Sequence, residues 1–384
     1  QEDLISYLEN KYYTRDVFNY KSFWIANLVW LEAKPVVLNE IMNRADISIM
    51  DLDELLDYDR PVDKSPAPMQ SITGSEPGHH IINAHKLWEL GITGQGRLVM
   101  NIDGGVDVTH PALGPKWRGN NGALWYHTWF DPIAPTSTQP FDCSDHGTHT
   151  MGTMVGMVLG DTVGVAPNAQ WIAAGITDCA GANYPSMNIA AFQWAINPDS
   201  NLNTVNDVPD VINCSWRDPN VPNECTSIYV STFNAVEAAG IAIVFSAGNS
   251  GPGISTVTPP KNINTNLVNV WSTGAIDGVS YLGGNTNPIA SFSSRGPSLC
   301  GGTGSLLIKP EGSAPGVSIR STRPGNLYQN MSGTSMAAPH VAGAVALLKQ
   351  FAPNLTGKQI LEALYNTAVD LGAAGEDNNY GMGL

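Results

Sequence analysis

Ser335 lies in Gly333-Thr334-Ser335-Met336-Ala337-Ala338-Pro339, where a Gly-Thr turn leads into small residues that continue through Val341, Ala342, Ala344 and Leu347. That run reads as a helix with a hydroxyl at its N-terminus. A serine there either caps the helix, which stabilises by about 1 kcal/mol, or acts as a nucleophile whose developing charge meets unpaired N–H groups and the positive dipole end. A nucleophile also needs a base and a group to orient that base. The apolar run from Arg97 to Ile102 ends at Asp103-Gly104-Gly105, which sets a carboxylate at the carboxyl end of a buried strand, beside glycines that permit an abrupt turn. Open α/β sheets keep their chemistry at that end. His146 opens His146-Gly147-Thr148-His149 and the small-residue segment from Thr150 to Gly156, a tightly packed helix carrying an imidazole at its start. The other seven histidines (His79, His80, His85, His110, His127, His149 and His340) read as structural.

The chemistry rests on what each group can do. Histidine has the unperturbed pKa nearest neutrality, so His146 is the base for Ser335. A buried carboxylate holds one imidazole tautomer and stabilises the imidazolium without taking the proton. Asp103 fits that role because it alone ends the hydrophobic strand; Asp107, Asp142 and Asp145 read as loop or solvated groups.

The segments Val99 to Asp107, His146 to His149, Ser246-Ala247-Gly248-Asn249-Ser250-Gly251 and Gly333 to Gly343 resemble those of the subtilisin-like serine proteases, the subtilases. They stand in that family's order of acid, base and nucleophile. The similarity spans about residues 80 to 384, with weaker features at 164–167, 292–297 and 314–316. It implies a secreted serine endopeptidase, made as a zymogen, that acts on polypeptides through an acyl-enzyme and needs no cofactor for catalysis. It also implies that Asn249 and the Ser335 backbone N–H receive the oxyanion, although Gly-Asn-Ser-Gly is strong turn chemistry with any function. Substrate would lie as an extended strand between Cys214-Ser215-Trp216 and Ser246-Ala247-Gly248, a β-augmentation mode. The family usually continues the first of these segments with glycines, whereas Arg217-Asp218 stand here and are expected to narrow the rim. Thr258, where many relatives carry glycine, is expected to floor an uncharged, shallow primary pocket. Two other readings are a catalytically silent subtilase-like binding or scaffold protein and a maturation protease of narrow range.

The elements that must position these groups are legible as alternation. Strands are expected at 97–103, 171–176, 210–215, 241–246 and 268–274, with helices near 81–90, 186–196, 226–239, 335–350 and 356–367. This predicts an α/β fold of subtilisin-like, doubly wound type, a mostly parallel sheet with helices on both faces, over residues 78–384. Residues 1–60 are richer in charge and poor in glycine: a helix over 1–9, a strand over 23–30, a helix over 35–42 and a strand over 47–50. This small α+β unit resembles the subtilase propeptide, an intramolecular chaperone and inhibitor, without that domain's first strand. Residues 61–77 read as an exposed, proline-rich linker and processing region.

The 384 residues are 42% hydrophobic and include ten tryptophans, enough for one large core and a small companion. A formal charge of −15 argues against nucleic acid or an anionic membrane as partner. No stretch approaches the roughly 18 apolar residues of a span. The chain opens on Gln1 without a basic-then-apolar leader, so any export signal is removed or lies outside this sequence. Gly91-Ile92-Thr93-Gly94-Gln95-Gly96 precedes a strand instead of coming after one, which excludes a dinucleotide loop. Five cysteines without a paired C-x-x-C signature exclude a zinc site and leave at least one thiol free; Cys214 with Cys225 and Cys143 with Cys179 are the plausible bridges, with Cys300 left over. No calcium is expected at the loop 157–162, which lacks the family's asparagine-rich ligands. A structural calcium elsewhere stays open.

Overall fold

A computed structural model describes the chain except for residues 72, 134, 178, 221–224, 226–227 and 301. Seven strands form one all-parallel sheet, in the order Gly312–Pro315, Trp271–Ile276, Ala242–Ser246, Val211–Cys214, Leu98–Asp103, Gln170–Gly175 and Trp129–Phe130. Its strands are buried at nearly every position because both faces are covered. Alternate side chains feed two cores. Val99, Ala173, Val211 and Val244 pack under the helices His146–Val155 and Thr334–Phe351. Met100, Ile102, Ile212, Ile243 and Phe245 pack under Pro185–Ile196 and Ile228–Ala238. The expected start of that last helix, 226–227, lies outside the described residues.

The two short edge strands, 129–130 and 312–315, are the ones sequence periodicity missed. The expected helix over 81–90 is two, Pro77–Ile81 and Ala84–Glu89. Asn83, in the left-handed region at φ 59°, breaks it, as asparagine does at low cost. Small residues in the central helix let elements approach closely: a Cβ at Gly343 would lie 2.5 Å from the Cβ of Val165.

Residues 1–56 form their own small core of Leu4, Leu8, Val17, Val37 and Ile41. Helices Glu2–Tyr13 and Pro35–Met42 flank an antiparallel hairpin, Val17–Phe23 with Leu28–Ala33. The expected strand over 23–30 is therefore the tip of this hairpin, a single 3₁₀ turn at Trp24–Ala26 closed by Asn27 at φ 49°. Apolarity there serves docking as well as pairing: Phe23 pairs with Leu28, while Phe23, Ile25 and Leu56 join the core under helices 185–196 and 228–238. The Ile25 N–H donates to Gln193 Oε1 at 3.3 Å, and Asp53 accepts from the N–H and hydroxyl of Ser186 at that helix's start. Residues 47–50 pair with no strand among the described residues.

The region 61–77 is not a free linker. Asp63–Pro66 is a strand antiparallel to Leu327–Ser332, and Arg320 ties down residues 68 and 76 beyond it, donating to the Pro68 carbonyl, Glu76 and Asp161. The disulfides are Cys143–Cys179 and Cys225–Cys300, so Cys300 is paired and Cys214 is the free thiol. Cys214 sits in a central strand, fully buried, and burial pushes its thiol well above the usual range. No helix among the described residues is long and apolar enough to cross a membrane.

Candidate active site

Asp103 ends its strand at the carboxyl edge of the sheet, and its Oδ1 accepts the Gly104 N–H at 2.7 Å. His146 is the first residue of its helix, and its Nδ1 lies 2.8 and 3.0 Å from the two Asp103 oxygens. Burial works against the imidazolium, but the Asp103 carboxylate outweighs it and the His146 pKa is raised above its ordinary value. Its Nε2 is buried and has no hydrogen-bond partner among the described residues. Ser335 is in the first turn of the helix Thr334–Phe351, fully buried, where backbone N–H groups lack intrahelical acceptors. The expected Ser335–His146 hydrogen bond is not made. The Ser335 hydroxyl instead donates to the carbonyl of Asp59 at 2.7 Å.

That contact belongs to a longer one. Residues 57–66 cross the site as an extended chain: Asp57–Tyr58 pairs antiparallel with Trp216–Arg217, the Asp59 N–H donates to Ser215 O at 3.2 Å, the Val62 N–H to Ser332 O at 2.8 Å, and 63–66 continue along 329–332. The peptide bond between Asp59 and Arg60 thus passes Ser335 with the chain paired on both sides. Asn249 Nδ2 donates to the carbonyls on either side of Arg60, 3.4 Å from Asp59 O of that bond and 2.9 Å from Arg60 O of the next. Its orientation is fixed by Thr334, whose N–H and hydroxyl both donate to Asn249 Oδ1 at 2.9 Å. Sequence reasoning misses Thr334 because it reads there only as a turn residue.

The expected cleft walls divide into groups that touch this segment and groups that support it. Ser215 and Trp216 pair with it, and the Ser246 hydroxyl donates to Asp59 Oδ2 at 2.6 Å. Cys214 faces the core, the Ala247 N–H donates within the sheet to Thr273 O, and the Gly248 N–H donates to Thr334 Oγ1. Thr258 makes no hydrogen bond to Asp59 among the described residues. The Asp59 carboxylate forms a buried ion pair with Lys261, from the loop beyond Thr258. Sequence periodicity carries no signal for Lys261, because a lysine after two prolines reads as a solvated loop. The Arg217 guanidinium pairs with Asp57 at 2.6 Å, while Asp218 turns inward and accepts from Tyr229.

The competing carboxylates have other work. Asp142 accepts the N–H and hydroxyl of Thr148, Asp107 the N–H groups of Thr109 and Gly325, and Asp145 pairs with Lys64 at 2.7 Å. Asp142 is therefore an anchor for the His146 helix, not a solvated group. Ring nitrogens of His79, His110, His149 and His340 meet backbone carbonyls. The loop 157–162 folds as a hairpin whose Asp161 carboxylate is engaged by the Arg320 guanidinium. A calcium ion there would face a fixed cation, so these residues do not fit one.

A parallel sheet carrying an acid–imidazole pair and a helix-borne serine at its carboxyl edge defines an α/β hydrolytic enzyme. The sequence profile of the subtilase family matches residues 94–383, and the chain belongs to that family, a serine endopeptidase by class. It is 33% identical to bacillopeptidase F of Bacillus subtilis over its whole length, which is 27% of that protein. It is 36% identical to subtilisin E of Bacillus subtilis over 79% of this chain and 68% of the relative, and 32% identical to an alkaline protease of Alkalihalobacillus alcalophilus over 91% and 77%. The chain thus spans about a quarter of the length of bacillopeptidase F.

Proposed function

We propose that this chain is a secreted serine endopeptidase made as a zymogen, with Asp103, His146 and Ser335 as its relay. Ser335 Oγ bonds to the substrate carbonyl carbon as its proton passes to His146 Nε2, which has no other partner among the described residues. Asn249 and the Ser335 N–H receive the oxyanion. The C–N bond breaks as the imidazolium protonates the leaving amine, and water then hydrolyses the acyl-enzyme by the same proton path in reverse. No cofactor enters these steps. Residues 1–59 act as the propeptide and inhibitor, and the bond cut on maturation is Asp59–Arg60. The observation that carries this reading is the Asp59 carbonyl, held against the Ser335 hydroxyl while the chain is paired on both sides of it. Secretion is supported by the two disulfides, which persist in oxidising compartments.

Incubation of the full chain tests this. Wild type should yield fragments beginning at Gln1 and Arg60 and should take up a fluorophosphonate stoichiometrically at Ser335, whereas S335A should do neither. A wild type that neither processes itself nor takes up the fluorophosphonate once residues 1–59 are removed would favour the silent scaffold.

A further inference from the structure

Among the described residues two lysines are fully buried, and they differ in what neutralises them. Lys309 pairs with Glu311 and donates to Val270 O and Asn264 Oδ1, all within its own unit. Lys261 is as deeply buried, yet among the described residues its ammonium has a single hydrogen-bond acceptor, the Asp59 carboxylate. That partner arrives from the segment crossing the cleft, at the residue whose carbonyl faces Ser335. Ser246, also fully buried, donates to the same carboxylate oxygen at 2.6 Å. Gly248 forms part of the wall: a Cβ there would come within 3.5 Å of Lys261 Nζ. Isolated buried charges are costly, and proteins retain them where a partner is supplied. Here the partner is supplied by whatever occupies the pocket.

We infer that Lys261 and Ser246 make the primary pocket selective for an acidic residue on the acyl side of the cleaved bond, aspartate above all, so that the enzyme cuts after Asp. This rests on the serine-protease reading above. A neutral side chain in the pocket leaves a buried ammonium unpaired, and a site built to bind a polar substrate group rejects an analogue lacking it by large factors. Burial lowers the Lys261 pKa and the Asp59 charge opposes it, so ammonium and carboxylate support each other. The segment carries a second acidic residue two positions earlier, Asp57, whose partner Arg217 is about one-third exposed. Exposed pairs are weak, so this subsite adds only about two- to five-fold.

The test uses the full chain after self-processing and internally quenched peptides of sequence Asp-Tyr-Xaa-Arg-Pro-Val, with Xaa as Asp, Glu, Asn, Leu or Lys. Fluorophosphonate titration of Ser335 counts active sites independently of any peptide. The Asp peptide should exceed the Asn and Leu peptides by at least about 10²-fold in kcat/KM, with Glu between. K261M should abolish the Asp preference and raise cleavage of the Leu peptide. Should that variant fail to fold, D59N in the full chain provides the second measurement, since its processing at residue 59 should slow by a similar factor. Titratable enzyme that cuts the Asn or Leu peptide as fast as the Asp peptide, or that cuts none of them, overturns the pocket assignment. Absence of titratable Ser335 in processed protein overturns the reading beneath it.

Discussion

At the scale of single residues, the site depends on groups that hold other groups. Asn249 presents its amide N–H to the cleft because Thr334 claims its oxygen twice. T334V removes the hydroxyl donor and the acceptor for Gly248 N–H, and kcat should fall about 10-fold or more with KM little changed, while T334S restores it. Steady-state kinetics on one peptide separates the two. The raised His146 pKa has a signed consequence. The base works only when neutral, so activity is lost as pH falls through a value above 6.5, and that acid limb should be visible in kcat/KM. D103N removes the charge that raises the pKa; the limb should move to lower pH and the rate at its plateau fall by about 10⁴. An unmoved limb would assign the titration to another group.

Secondary-structure elements meet at the site with little room between them. The helix carrying His146 approaches the Asp103 strand so closely that a Cβ at Gly147 would sit 2.0 Å from the Gly105 carbonyl and 3.2 Å from Asp103 Oδ1. G147A therefore pushes the imidazole off the carboxylate, and activity should drop more than thermal stability does. The cysteine pairing is also settled by how elements lie. Cys214 points into the core between a central strand and helices 185–196 and 228–238, so it cannot reach Cys225, which bonds Cys300 across two surface loops. Thiol titration should find no reactive group in the native protein and one per chain in denaturant without reductant. Finding three would break one of the bridges.

For the whole molecule, the buried histidines decide how stability varies with pH. Burial holds His79 and His149 down to about 3 and His340 to about 4. In the unfolded chain each takes up a proton near 6.5, so between that pH and about 4 the unfolded state binds more protons and stability falls on acidification, by about 1.4 kcal/mol per unit per histidine. His146 has the opposite sign: its pairing with Asp103 contributes fully below 6.5 and is lost as pH rises through its raised folded value. Below pH 6.5 the His146 contribution is constant, and burial lowers His110 in the same direction as the three, so the melting temperature should decline steadily from pH 6.5 to 4, and less steeply in H79Q. Arg320 ties residues 68 and 76 to the hairpin 157–162. Breaking such a buried pair costs about 3–5 kcal/mol; R320A should melt far lower than wild type.

The sequence alone determined what depends on local order. Strand alternation gave the parallel sheet, small-residue helices gave its close packing, and the apolar run ending at Asp103 and the Gly-Thr turn before Ser335 fixed which residues stand at its carboxyl edge. Local order also misled. The apolar stretch 23–30 is a docking tip whose character reflects a distant helix pair, and 129–130 and 312–315 are too short for periodicity to register. Tertiary structure decided the rest, because electrostatic meaning is a property of neighbours. Whether Lys261 is a solvated loop residue or the floor of a pocket depends on Asp59, 202 positions away, and on Gly248 and Ser246 closing over it. Arg217 likewise reads as an obstruction until Asp57 is seen beside it. A charge is identified by its partner, and partners far apart in the chain are chosen only when the chain has folded.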